Sequence, residues 1–177
     1  MKPTEEQIVR LVEKACGWVD EHQPLLYPPT GQQLGGNRPH FATWFPLSLL
    51  DDVRRLSVPQ LVDPPFLSDA VWLVEKGFTL TRASGLTLDR LILIPLHSMP
   101  DNLAIFAHEL VHVVQYRHLG VSGFMDCYVR QLTAESQKDE PDWRAIPLER
   151  IAYTIEDEYR SGALPPGDVS PRVLAQI

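Results

Sequence analysis

The sequence predicts an α+β fold. Several segments repeat apolar residues every three or four positions, residues 86–94 mix alternation with a continuous apolar run, and Pro- and Gly-rich stretches separate these segments. At 177 residues and 44% hydrophobic composition, the chain has enough apolar material for one core. A single domain is therefore expected, with a helix and loop over residues 1–45, a core region over 46–162 and a tail over 163–177.

Thr4 followed by Gln7 has the form of a capping box, and Ile8, Val9, Leu11, Val12, Ala15, Cys16 and Val19 then recur at helical spacing. An N-terminal amphipathic helix follows. Residues 24–39 are rich in Pro, Gly and Gln, a composition that cannot sustain regular structure, so a long surface loop is expected there, as a cleft wall or a connector. A second helix is expected over 46–56, and residues 67–78 suit either a short helix or a strand. The clearest strand signal is 86–94, closed by Pro95. After the turn signal Ser98-Met99-Pro100-Asp101-Asn102, a helix is expected over 103–118, with Gly120 placed to end it. Two more helices follow, over 122–137 and 147–161. Pro147 suits the first turn of the latter and Gly162 its stop. The tail from Ala163 is expected to be extended against the body or mobile.

The net charge of -7 argues against binding to nucleic acid or anionic membrane, both of which select clustered Lys and Arg. The charged N-terminal segment has no apolar leader and no stretch is long enough to span a bilayer, so a soluble, cytoplasmic protein is expected, with export by another route left open. Cys16 and Cys127 lack the density or spacing of a disulfide framework or a Cys-based metal site and are read as buried thiols.

The chemistry is concentrated in His108-Glu109-Leu110-Val111-His112. Two histidines four residues apart on a helix differ by about 40° in azimuth and one turn in height, so their imidazoles can converge on one tetrahedral ion. Glu109 projects beside the pair, where it can reach a metal-bound water without ligating the metal. Zinc lowers the pKa of such a water, and the carboxylate takes the proton as hydroxide attacks a polarised carbonyl. The flanking Leu103, Ala104, Ile105, Phe106, Ala107, Leu110, Val111, Val113 and Val114 are apolar on nearly every side, so the helix should be buried. Buried His and Glu need partners, and a metal supplies one.

The segment resembles the zincin superfamily of metallopeptidases, whose active-site helix follows an edge strand that binds the substrate backbone. Over residues 85–94, Pro100-Asp101 and 105–116 it is most similar to the HExxH domain of unknown function of contractile-injection-system and toxin-associated bacterial proteins. The likeness covers about a fifth of the chain. It implies a small twisted sheet that ends in the 91–94 strand and packs on the active-site helix, with further helices below. It also implies a peptide or protein substrate whose backbone adds to the strand edge.

The third ligand sets the subclass. His118 has the spacing of the metzincin pattern, but Gln115 stands where metzincins need glycine to break the helix. If the helix continues, His118 points about 240° away from His112. Gluzincins take a glutamate from a later helix, often in a Glu-x-x-Ala setting, and Glu149-Arg150-Ile151-Ala152 is similar to that. The resemblance thus favours Glu149 as third ligand, followed by Glu156, which is either a ligand or an acceptor for a ligand His N–H, and by Glu135. The chain departs from thermolysin-like enzymes in a longer gap between His112 and Glu149 and in carrying Tyr153 where they have an aspartate. Tyr153, Tyr128, Tyr116 and Arg144 are available to stabilise an oxyanion, with none assigned. Trp18, Trp44, Trp72 and Trp143 are read as packing residues, with Trp44 or Trp143 the two that suit a cleft. His22, His40 and His97 are read as ordinary. The expected activity is zinc-dependent peptide-bond hydrolysis with Glu109 as general base. The alternative is a zincin-like binding or effector module with little protease activity.

Overall fold

A computed structural model describes residues 2–26, 32–34, 37–98 and 102–177. The mixed α+β architecture is organised around strand β4 (Leu91–Pro95), which is buried along its whole length. Period-two alternation sends Ile92 and Ile94 into one apolar cluster and Leu91 and Leu93 into another on the opposite face. The four-stranded sheet has the order β1 (Gln32–Gln33), β2 (Arg54–Val58), β4, β3 (Leu86–Leu88). β2 runs parallel to β4, and β1 and β3 are antiparallel to their neighbours.

Helix α1 (Glu5–His22) opens with the predicted capping box: Thr4 N–H donates to Gln7 Oε1 at 2.8 Å and Gln7 N–H donates to Thr4 Oγ1 at 3.2 Å. Reciprocal bonds satisfy two of the donors that a helix start leaves free. The expected loop over 24–39 is partly regular: a 3₁₀ turn at Gln23–Leu26, β1, and helix α2 (Asn37–Phe41). The remainder of that segment lies outside the described residues.

The expected helix over 46–56 divides. Helix α3 (Leu47–Asp52) stops at extended Val53, and residues from Arg54 onward form β2. Arg54 N–H donates to the Arg90 carbonyl at 2.9 Å, so pairing with β4 overrides the last turn of a helical periodicity that is only about three turns long. Residues 67–78 resolve into a 3₁₀ turn (Pro65–Asp69) and a one-turn helix α4 (Val71–Val74).

The single strand expected over 86–94 is a hairpin, β3 and β4, reversed at Asp89, whose φ of 58° a short polar side chain tolerates. Pro95 ends the pairing as expected, as its last member, in register with Val58. The sheet therefore ends in β3, and the 91–94 strand lies inside it between β2 and β3.

Helix α5 (Asn102–Ser136) is two helices joined at Gly120, which has φ 71° and ψ 169°. The first half carries the motif and the second packs on α1, consistent with the two predicted helices; the turn signal before it lies mostly outside the described residues. Helix α6 (Pro147–Ser161) matches its predicted bounds and ends on left-handed Gly162. The tail lies against the body, as one of the two expectations had it, and ends in a short helix. Gly167 N–H and Val169 N–H donate to the Thr43 and Trp44 carbonyls, and helix α7 (Ser170–Leu174) seats Val173 fully in the core beside α5. Cys16 and Cys127 are free thiols, half-buried rather than fully buried. No helix among the described residues is long and apolar enough to cross a membrane.

Candidate metal centre

The first half of α5 is buried as its composition predicts, and it buries four polar residues: His108, Glu109, His112 and Gln115. Four-residue spacing brings the two imidazoles together, with His108 Nε2 and His112 Nε2 3.2 Å apart. Glu149, in the first turn of α6, closes the group: one carboxylate oxygen is 3.2 Å from His108 Nε2 and the other 3.5 Å from His112 Nε2. The small, fully buried Ala152 lets α6 approach α5. These three residues can hold a metal ion.

Their neighbours orient the rings. Gln115, fully buried one turn after His112, donates from Nε2 to the Leu148 carbonyl at 3.0 Å. A carbonyl only accepts, so the amide is oriented by that bond and its Oε1 faces His112 Nδ1 at 2.8 Å. His112 Nδ1 must then be the protonated nitrogen, which leaves the Nε2 lone pair pointing at His108. Glu156, two turns along α6 from Glu149, brings a carboxylate oxygen within 3.1 Å of His108 Nδ1, close enough for an ion pair though not aligned as a hydrogen bond. Both rings thus turn Nε2 inward, 3.2 Å apart, toward one point that a cation could occupy.

Glu149 is held in turn by the Tyr128 hydroxyl, which donates to Oε1 at 2.7 Å. Glu109 lies against β3: Thr87 Oγ1 donates to its Oε2 at 2.7 Å, and Oε1 faces Gly85. A Cβ on Gly85 would stand 2.8 Å from Glu109 Cδ and 2.9 Å from Cγ, so glycine is required for this approach.

Burial disfavours the charged form of every group here, and proximity decides which shifts prevail. For His108, burial is outweighed by the carboxylates of Glu149 and Glu156, and its pKa is pushed up to about 10. His112 is raised as well, burial being outweighed by Glu149. Glu149 is held well below the usual carboxylate range despite its burial, by His112 and His108. Glu109 goes the other way: burial raises it more than the imidazoles and Thr87 lower it. The two glutamates therefore have opposite electrostatics, one fixed as an anion and the other nearer to accepting a proton.

The group opens onto a cavity of about 610 Å³. Trp143 lines it, as does Trp18, whereas Trp44 packs against His40 and Tyr159 elsewhere. None of the described residues of the 24–39 segment lines the cavity, and residues 27–31 and 35–36 lie outside the described residues.

His118 is exposed and Glu135 is bound to Lys138 and the Asp142 N–H, so neither joins the group, whereas Glu156 sits behind His108. Among the oxyanion candidates, Tyr128 is engaged by Glu149, the Tyr116 hydroxyl is buried with no described partner, and Tyr153 packs on His108 at 4.5 Å with the Arg144 guanidinium 4.0 Å over its ring. Gln115, Thr87 and Gly85 carried no signal of their own, except that a glutamine three residues after His112 on an apolar face must find a buried partner. Comparison with protein-family models, characterised proteins and solved structures finds no match, so the centre stands on its own geometry.

Proposed function

We propose that the chain is a zinc-dependent peptidase of the gluzincin kind, with His108, His112 and Glu149 as metal ligands and Glu109 as general base. One observation carries the reading. A tetrahedral zinc with ligand bonds of about 2.0–2.1 Å has edges of about 3.3–3.4 Å between ligands. The two imidazole nitrogens stand 3.2 Å apart, and the Glu149 carboxylate spans them, with one oxygen 3.2 Å from His108 Nε2 and the other 3.5 Å from His112 Nε2. Two imidazoles and one carboxylate also suit zinc by donor type and leave a fourth position for water or substrate.

Bound zinc would supply a Lewis acid that polarises a carbonyl and lowers the pKa of water. The protein's own groups do the rest. Gln115 and Glu156 hold the two imidazoles with Nδ1 outward, and Tyr128 holds the Glu149 carboxylate. Thr87 occupies Oε2 of Glu109, leaving Oε1 to take a proton from the attacking water and pass it to the leaving amine. A pKa raised by burial suits a residue that must both accept and release that proton near neutral pH. The free edge beside the site belongs to β3, which lines the cavity, so an extended peptide would add there and not to the 91–94 strand.

Metal analysis after zinc loading tests the centre. The natural chain should retain about one zinc per chain at the affinity of a three-ligand site, and His112→Ala and Glu149→Ala should lose it. Glu109→Gln should keep the metal and abolish peptide hydrolysis. Hydrolysis that survives Glu109→Gln, or a chain that takes up no zinc, refutes the assignment.

A further inference from the structure

We propose that the cavity beside the metal group takes one bulky apolar side chain, aromatic or long aliphatic, of the substrate peptide, next to the bond that is cut. The inference rests on the peptidase reading and adds its substrate class.

The cavity has two unlike sides. One is the polar group of His108, Glu109, His112 and Glu149. The rest of the lining is largely apolar and includes Trp18, Phe66, Phe78, Leu80 and Trp143, all half-buried, with buried Leu73 and Leu132 packed in one cluster with Phe66, Phe78 and Trp143. The parts of this wall contributed by α1, by residues 64–67 and by α4 bring no charged side chain into the cavity; the charged lining residues are those of the metal group, Glu156, Asp142, Arg144 and exposed Arg82. The rings meet edge-on, Trp18 with Phe66 at 6.2 Å and Phe78 with Trp143 at 5.4 Å, which fixes the shape of the wall.

Segment 77–85, which carries Phe78 and Leu80, lacks regular structure but is held in place. Asp63 accepts from Leu80 N–H at 2.6 Å and from Thr79 Oγ1 at 2.8 and 3.0 Å. A volume of about 610 Å³ falls within the range of small-molecule sites and leaves room for one large side chain with its flanking backbone. A charged side chain placed against the α1, 64–67 and α4 part of the wall would lose its hydration with no charge beside it, whereas an apolar one gains by leaving water. Most of these wall residues lie outside the motif segment, so the preference is a property of this chain's own packing.

The test uses blocked peptides Ala-Ala-Xaa-Ala-Ala, with Xaa as Phe, Leu, Ala, Asp or Lys. Affinity is measured on the zinc-loaded Glu109→Gln chain, and cleavage on the zinc-loaded natural chain. Phe and Leu should bind and be cut at least about 10-fold better than Ala, with Asp and Lys poorer still. Phe78→Ala or Trp143→Ala should shrink the Phe-to-Ala ratio to about 3-fold or less with zinc content unchanged. Leu80→Arg, a change that leaves Leu73 and Leu132 in place, should raise the relative binding of the Asp peptide. Cleavage with no apolar preference, or a preference untouched by all three variants, overturns the inference and leaves the peptidase reading intact. Apolar-selective binding without turnover by the natural chain overturns the peptidase reading and supports the pocket's class. Neither binding nor turnover overturns both.

Discussion

Replacing Gln115 by Leu probes the metal centre without needing a substrate. The side chain is fully buried and makes two bonds, one to His112 Nδ1 at 2.8 Å and one to the Leu148 carbonyl at 3.0 Å. Leu fills a similar volume but leaves both partners unsatisfied, which costs about 1–3 kcal/mol each. Burial of a more apolar side chain offsets about 1–2 kcal/mol of this, so the metal-free chain should lose roughly 1–4 kcal/mol. The second effect is on tautomer. With no acceptor at Nδ1, His112 is free to carry its proton on Nε2, where it blocks the metal, and zinc affinity should fall about 10- to 100-fold. Urea unfolding followed by circular dichroism gives the first quantity, and competition with a chromophoric chelator gives the second. Gln115→Glu keeps an acceptor facing His112 and should bring zinc affinity back to within a few-fold, which a merely structural role for Gln115 would not do. Stability within about 0.5 kcal/mol of the natural chain together with an unchanged zinc constant for Gln115→Leu would refute the orientation argument.

Gly85→Ala should push the Glu109 carboxylate off Thr87 while leaving zinc in place, with peptide turnover down by about 100-fold; unchanged turnover at full zinc content would count against this position for the base. Tyr128→Phe removes the 2.7 Å bond to Glu149 and should weaken zinc about 10-fold by chelator competition, with the fold intact by circular dichroism. In the metal-free chain, His108 has its pKa raised to about 10. Its contribution to stability is therefore fully present below the ordinary value near 6.5 and is lost as pH rises through about 10. Metal-free protein in chelator should melt at progressively lower temperature over that window, and zinc-loaded protein should not, because zinc takes the proton's place; parallel melting curves would rule this out. Finally, Val173→Ala should cost about 2 kcal/mol in urea unfolding, because Val173 is fully buried, whereas a loosely attached tail would make the change silent.

Local signals account for much of the fold and half of the centre. The Thr4–Gln7 box, the glycines at 120 and 162 and Pro147 each act within one helical turn, so their outcomes follow from backbone geometry close at hand. His108, Glu109 and His112 were legible for the same reason: an i, i+4 pair on a helix converges wherever that helix is packed. Long-range partners were not legible in this way. Residues 54–56 read as the end of a helix until β4 offers them a parallel ladder, and residues 86–94 read as one strand until Asp89 reverses the chain.

The sequence by itself determined the histidine-bearing face of α5, the ends of α1 and α6, and a buried environment for three polar side chains, since periodicity and capping encode geometry over a few residues. The Glu-x-x-Ala likeness also points to Glu149, with Glu156 next. Tertiary structure decided the rest: that Glu149 faces the imidazoles and Glu156 stands behind them, Gln115 and Tyr128 as their supports, Thr87 and Gly85 around Glu109, and an apolar lining drawn from α1, the turn at Pro65–Asp69, segment 77–85 and Trp143. Those choices depend on how several amphipathic faces, distant along the chain, bury one another at once. No local pattern specifies that joint solution.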